Sequence, residues 1–230
     1  MNLNKRNKNN VISRWKKIHE EEEKYIKENK KKTKHLRARL CGFLAGDGNV
    51  LVAGKGKNKH NTVRFFPDHS SLIKSFEEII SKTYNKSVKI KKKKNHYFLT
   101  VDSKPIVKDV LSLAKFGTYD WNIPKNLANL EKIEWLRAFF DCEGYVHKKY
   151  IRVQSVNEKG LTEVKKLLGS IRINSKFYSH IPKNKKHSEV FILNIGRKED
   201  RERYLELVGF NHTIKLKKLQ NQLEKNAVIA

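Results

Sequence analysis

The chain holds only two cysteines among its 230 residues, Cys41 and Cys142. Two thiols cannot build the disulfide framework of a small secreted domain, and no Cys/His spacing here reads as a zinc site. A reducing compartment is therefore expected. Long apolar runs are also missing: none approaches the roughly 20 residues needed to span a bilayer. The basic N-terminus, MNLNKRNKNN, leads into no apolar segment, so no secretory signal is expected. Glu20 to Glu23 follow too soon for a transit peptide. Acidic residues are scarce as well. Asp and Glu total 24 against 51 Lys and Arg, a net charge of +27. A compact chain with that charge repels itself, and a polyanionic partner relieves the repulsion. We expect an intracellular protein that contacts nucleic acid and no membrane, in the cytoplasm of a prokaryote or archaeon or in an organelle. Hydrophobic residues at 38% and aromatics at 10% suffice for a modest core and exclude a wholly disordered basic tail.

Residues 1–32 form a charged extension with a helical stripe of Val11, Ile12, Trp15, Ile18, Tyr25 and Ile26. Beyond it, one unit is written twice. The first copy, 33–117, opens with a small-residue helix that ends near Asp47–Gly48. Strands are expected over 49–53 and 62–66, a helix from 70 or 71 to 84, a hairpin of 87–91 with 96–101, and a closing helix over 105–116. The second copy, 129–212, repeats the order: a helix over 131–142, strands at 145–147 and 151–155, a helix over 158–171, a hairpin of 175–180 with 190–195, and a helix over 198–208. Residues 118–128 read as a linker, and 213–230 as a lysine-rich C-terminal helix. The length suits one large domain or two small ones.

The first helix of each copy carries the chemistry. Leu40–Cys41–Gly42–Phe43–Leu44–Ala45–Gly46–Asp47–Gly48 puts Gly42 and Gly46 on one face, and Leu136 to Gly144 puts Ala138 and Cys142 at the same spacing. Small residues four apart let two helix backbones approach closely. Glycine inside a helix costs about 1 kcal/mol relative to alanine, which suggests that the approach is used. Asp47 and Glu143 then stand at helix C-termini, the wrong end for an anion. Each is followed by a glycine suited to a left-handed cap. Packed side by side, the helices would gather two carboxylates and several carbonyls at one point. That cluster is unfavourable alone and favourable around a hard divalent cation. The expected metal set is Asp47 and Glu143, joined by Gly46 and Cys142 immediately before them. Such a site suits metal-assisted phosphodiester hydrolysis. For the cysteine sulfurs themselves, packing is the expected role.

The two nonapeptides resemble the LAGLIDADG motif of homing endonucleases. The matches are Leu40, Gly42, Asp47 and Gly48 in the first, and Leu136, Asp141 and Gly144 in the second, with Glu143 in the acidic place. The resemblance covers about residues 36–220. It implies an α+β monomer of two pseudo-symmetric ββαββα halves. Each half would carry a four-stranded antiparallel sheet. Together they would form a DNA-binding saddle with the motif helices at the interface. It implies a staggered double-strand break, with Asp47 and Glu143 as catalytic, metal-binding acids sharing two or three Mg²⁺ ions. Many members carry a lysine or glutamine near the junction of the second strand and the outer helix. Here that region reads Phe66–Pro67–Asp68–His69 and Gln154–Ser155–Val156–Asn157. Gln154 is the catalytic candidate there, with Asp68 and Asn157 by position, and Lys148 and Lys104 as nearby charges.

If the sheets face double-stranded DNA, alternate strand residues point at base edges. The candidates are Asn49, Arg64, Lys89, Lys91, His96 and Tyr97 in the first half. In the second they are Tyr145, His147, Lys149, Arg152, Gln154, Lys176, Tyr178 and His180. Lys55, Lys57 and Lys59, the turn at 91–94, and Lys183 and Lys185 are expected on phosphates. A free-standing intron reading frame is expected rather than an intein, since the chain starts at Met1 and leaves no room for a splicing domain. The rival functions are an RNA maturase that binds its intron, and a non-cleaving DNA-binding regulator on the same scaffold.

Overall fold

The computed structural model describes residues 3–54, 60–93, 96–181 and 188–225. It is an α+β fold of two four-stranded antiparallel sheets. The first half runs α2 (Lys34–Ala45), β1 (Gly48–Ala53), β2 (His60–Phe65), α3 (Ser70–Tyr84), β3 (Lys89–Lys93), β4 (His96–Asp102) and α4 (Lys104–Leu111). The second runs α5 (Asn129–Glu143), β5 (Tyr145–Val146), β6 (Ile151–Ser155), α6 (Glu158–Ser170), β7 (Lys176–His180), β8 (Val190–Ile195) and α7 (Lys198–Leu207). An N-terminal helix, α1 (Leu3–Asn29), precedes them and α8 (Thr213–Lys225) follows. The strand orders β1-β2-β4-β3 and β5-β6-β8-β7 are the same topology drawn twice.

Alternation along the strands separates two faces of each sheet. Val63, Phe65, Leu99 and Val101 face the first core, beneath Leu72, Phe76, Ile79 and Ile80 of α3. Ile151, Val153, Leu193 and Ile195 face the second, beneath Leu161, Val164 and Leu168 of α6. The motif helices knit the cores together. Ala38, Cys41 and Ala45 of α2 belong to the second core, and Ala138 and Cys142 of α5 to the first. Small side chains make this exchange feasible. A methyl group on Gly42 would lie 2.4 Å from the Trp135 carbonyl and 2.9 Å from the Ala138 Cβ.

The expected left-handed glycine caps are not what forms. Gly144 has φ −71°, and Gly48 is not among the glycines of positive φ, which among the described residues are Gly54 and Gly209. Both motif glycines are required by crowding instead. A Cβ on Gly48 would meet the Leu44 Cα at 2.6 Å, and one on Gly144 the Phe140 carbonyl at 2.3 Å. α4 and β5 are among the elements shorter than expected. α4 stops at Leu111 because Ser112 folds back on the helix end, its Oγ donating to the Asp109 carbonyl at 2.6 Å. β5 stops at Val146 because the His147 amide donates to the Tyr150 carbonyl and closes a turn.

The flanking segments are docked. In α1, Glu22 accepts from Ser103 and Lys86, and Ile26 packs on the first core. The stretch expected as a linker places Trp121 and Ile123 in the second core, where the Asn157 amide donates to the Trp121 carbonyl at 2.7 Å. Leu219 and Leu223 of α8 close that core from the other side. Across the first half, the buried Asp109 carboxylate accepts from the Arg37 guanidinium and from the Tyr84 hydroxyl, which ties α2, α3 and α4 together. A buried ion pair satisfied in this way is costly to break.

Candidate active site

The two motif helices converge at their C-terminal ends. A Cβ on Gly46 would sit 2.5 Å from the Cys142 Cβ and 3.6 Å from the Glu143 Cγ, so the ends touch backbone to side chain. Asp47 lies two residues past α2 and Glu143 is the last residue of α5. Both are half-buried. Burial first, and then the charge of Asp47, push the Glu143 carboxyl up to about 7, against the opposing pull of Lys215. Asp47 is raised by burial and by Asp68, while a hydrogen bond from the Cys142 thiol and the charge of Lys215 favour its ionised form. Two half-buried carboxylates that disfavour each other's charge form a donor set suited to a hard cation. Among the described residues no group of three or more His, Cys, Asp or Glu side chains is gathered for a metal. Further ligands would therefore be carbonyls, water or a bound phosphate.

The surroundings of the acids differ on the two sides. Glu143 opens on a cleft lined by Ala45, Gly46, Gly48, Asn49, Gln154 and Ser155. Gln154, the candidate for assisting the reaction, is therefore exposed beside Glu143. On the other side the second motif is overlain by the start of α8. The Asp141 carboxylate accepts the amides of Asn211 at 2.8 Å and His212 at 2.9 Å, together with the Asn211 side chain at 3.0 Å. The first motif carries Ala45 in the corresponding place. Lys215 Nζ then donates to the carbonyls of Asp141 at 2.6 Å and Cys142 at 2.8 Å. His212 stacks on His69 with ring centroids 4.6 Å apart and lies 3.6 Å from the Asp68 carboxylate. For Asp68, burial is outweighed by the hydrogen bond from His212 and the charges of Lys215 and His212, so its carboxyl is held below the usual range.

Several candidates change role. Burial and the charge of Asp47 push the Cys142 thiol well up, so the sulfur stays neutral, packs on Gly46 and donates to Asp47. The Cys142 carbonyl holds the Lys215 ammonium. Asn157 is buried and caps α6, accepting the Gly160 amide at 3.0 Å, which leaves it no part in the cleft. Lys148 sits in the exposed turn after β5. Lys104 opens α4 next to Ser103, which is held by Glu22 of α1.

The open face of each sheet carries a matching row. Pairing aligns Asn49, Arg64, Thr100 and Lys89 across the first sheet, and Tyr145, Arg152, Asn194 and Lys176 across the second. Arginine occupies the second strand and lysine the outer strand in both. Lys91 stands opposite Phe98 on the same face, and Arg64 lies over the Phe98 ring at 5.8 Å. In the second sheet Arg152 donates to Asn194 at 3.0 Å and to the Tyr178 hydroxyl at 3.1 Å, and Gln154 stands across from Ile192 and Tyr178. Lys149 borders this row beside Lys176, His180 is exposed at its strand end, and His147 is half-buried and stacked on Tyr150 at 4.4 Å. Tyr97 is a correction. It shares parity with Leu99 and Val101, so it packs on the core side rather than on the open face. Lys55, Lys57, Lys59, Lys183, Lys185 and the turn at 94–95 lie outside the described residues, as does the side chain of His96. Sequence reasoning missed Thr100, Phe98 and Asn194, which strand alternation could have supplied, and Lys215 and His212, for which it held no signal.

Two pseudo-symmetric halves, acids meeting at the helix seam and basic rows on both open sheet faces define a two-motif protein with a paired acidic centre. Residues 131–209 match the family model described as LAGLIDADG-like domain. The fold superposes on the homing endonuclease I-DmoI, in a study of its mesophilic variants, with TM-score 0.62 and 19% identity over 76% of this chain and 96% of that one. For I-DmoI in complex with DNA and Mn the values are 0.60 and 20%, over 76% and 97%. Full-length DUF199/WhiA from Thermotoga maritima gives 0.56 and 16%, over 84% and 61%. At such identities these likenesses concern the fold. Among curated proteins, the replication factor C small subunit of Methanocaldococcus jannaschii is 29% identical over 188 residues, 79% of this chain. The chain spans about a tenth of that relative's length. Residues 131–209 thus carry a LAGLIDADG-like domain, and the first half repeats its sheet topology. Among the described residues, no helix is long and apolar enough to cross a membrane.

Proposed function

We propose that the chain is a site-specific DNA endonuclease of the homing type, cutting both strands of a long duplex target as a monomer with Mg²⁺ at the acid pair. The observation that carries this is the meeting of Asp47 and Glu143 at the seam between two sheets whose open faces repeat the same arginine and lysine positions. In this reading Asp47, Glu143 and the neighbouring Gly46 carbonyl hold the metal, which supplies Lewis-acid stabilisation of the leaving oxygen. Gln154, exposed in the same cleft as Glu143, positions water or the scissile phosphate. Arg64, Arg152, Asn49, Asn194 and Tyr178 meet base edges, and Lys89, Lys91, Lys149 and Lys176 meet phosphates. The same activity is proposed whether the unit stands alone as an intron reading frame or forms part of a longer protein.

The test is a cleavage screen over a randomised duplex library with Mg²⁺ against EDTA, followed by Asp47→Asn and Glu143→Gln. Loss of cutting with retained binding is expected. Undiminished cutting by both variants would overturn the assignment. One observation favours a second reading, a DNA-binding protein that does not cut: the Cys142 carbonyl is already taken by Lys215. Sequence-selective binding with no Mg²⁺-dependent product from the wild-type chain would establish it.

A further inference from the structure

The two motifs differ most in what lies against the residues just before the acids. Ala45 and Gly46 of the first motif line an open cleft. Their counterparts, Asp141 and Cys142, both give their carbonyls to the Lys215 ammonium, at 2.6 and 2.8 Å. These are helix C-terminal carbonyls with partial negative charge, beside Asp47 and Glu143, in the position where a cation is most stabilised.

The placement of Lys215 is built rather than incidental. Lys215 is the third residue of α8. A cation in the first turn opposes the helix dipole, so the helix itself gains nothing from it. What fixes the turn is Asp141, which accepts the amides of Asn211 and His212 just ahead of α8. Asp68 and His69 of the first half hold His212 from the other side. The same ammonium acts electrostatically on Asp47, Glu143 and Asp68.

We propose that Lys215 is a resident cation of the second half-site, standing at the Asp141 and Cys142 carbonyls where the first half-site leaves room for a metal ion. The inference rests on the reading of Asp47 and Glu143 as a metal site. It makes the two halves unequal: the cleft beside Gly46 takes a divalent ion, while the Cys142 side is served by an ammonium that comes with the chain.

The experiment is a Tb³⁺ luminescence titration of the full chain without DNA, alongside thermal melting of each variant. Lys215→Met removes the ammonium, and Lys215→Gln removes the charge while keeping a donor for the carbonyls, in case the first variant folds poorly. Either is expected to tighten Tb³⁺ binding by about tenfold or more, as loss of an adjacent unit charge implies. Lys215→Arg is expected to follow the wild type. Lys218→Met, the same charge change at an exposed position of the same helix, is expected to stay within about twofold of it. Tightening by Lys215→Met and Lys215→Gln no greater than that of Lys218→Met overturns the proposal. Asp47→Asn and Glu143→Gln separate the two readings. If they leave Tb³⁺ binding intact, the metal site falls. If they abolish it while the Lys215 variants match Lys218→Met, only the resident cation falls.

Discussion

Gly46 and Cys142 meet so closely across the seam of the two halves that a methyl group on Gly46 would lie 2.5 Å from the Cys142 Cβ. Neither side can retreat without moving a motif helix. Gly46→Ala is therefore expected to destabilise the fold by about 1–3 kcal/mol, the usual cost of overpacking. It should also part the two acids. Urea denaturation checks the first effect, and the Tb³⁺ affinity of the folded fraction checks the second. A variant with wild-type stability and affinity would mean that the seam is looser than this contact implies.

Glu143 links the site to pH. Its folded pKa of about 7 stands above its ordinary value, so between roughly pH 4.5 and 7 the folded state binds more protons than the unfolded one. Stability of the metal-free protein should fall as pH rises through that window and level off above it. Asp47 contributes in the same direction, since its pKa is also raised. Glu143→Gln should flatten the profile and raise the melting temperature at pH 8. Adding Ca²⁺ at pH 8 should recover part of the loss in the wild type. Melting curves taken across pH 4.5–8.5 read all three effects.

Asp141 anchors α8 through two backbone amides and one side-chain amide, and it is fully buried. Asp141→Ala should cost about 2–3 kcal/mol, as loss of charge-assisted bonds to buried donors implies. It should also free the α8 amides to exchange ahead of the rest of the second half. Hydrogen exchange resolved by segment measures this. Uniform exchange across α5 and α8 would count against the anchor.

The basic rows separate affinity from selectivity. Lys176→Ala should weaken binding about equally on all duplexes and lower the salt slope by about 1. Arg152→Ala should cost about 1–3 kcal/mol on the preferred sequence and relax choice at one position. Binding titrations in two salt concentrations, on selected and scrambled duplexes, distinguish the two behaviours.

The sequence made the motif helices legible because small residues at Gly42, Gly46, Ala138 and Cys142 recur at a spacing that few other purposes require. The strands were legible from their apolar alternation, and β6 and β8 match the expected bounds. Tyr97 was misplaced because an aromatic next to a lysine-rich turn looks like a contact residue until its parity with Leu99 and Val101 is counted. Lys215 and His212 were not legible at all. They lie 74 and 71 residues beyond Asp141, at or just before the start of a helix whose pattern announces only that Leu219 and Leu223 are buried. Only the chain's return path brings them to the second motif.

The two rows differ as well as match. Asn49 and Thr100 flank Arg64 in one sheet, where Tyr145 and Asn194 flank Arg152 in the other. A duplex that suited both faces would repeat itself about its centre at the bases met by the arginines and break that repetition beside them. Such a duplex would be an imperfect palindrome. Because its two ends are not interchangeable, the protein would have one preferred direction in which to sit on it.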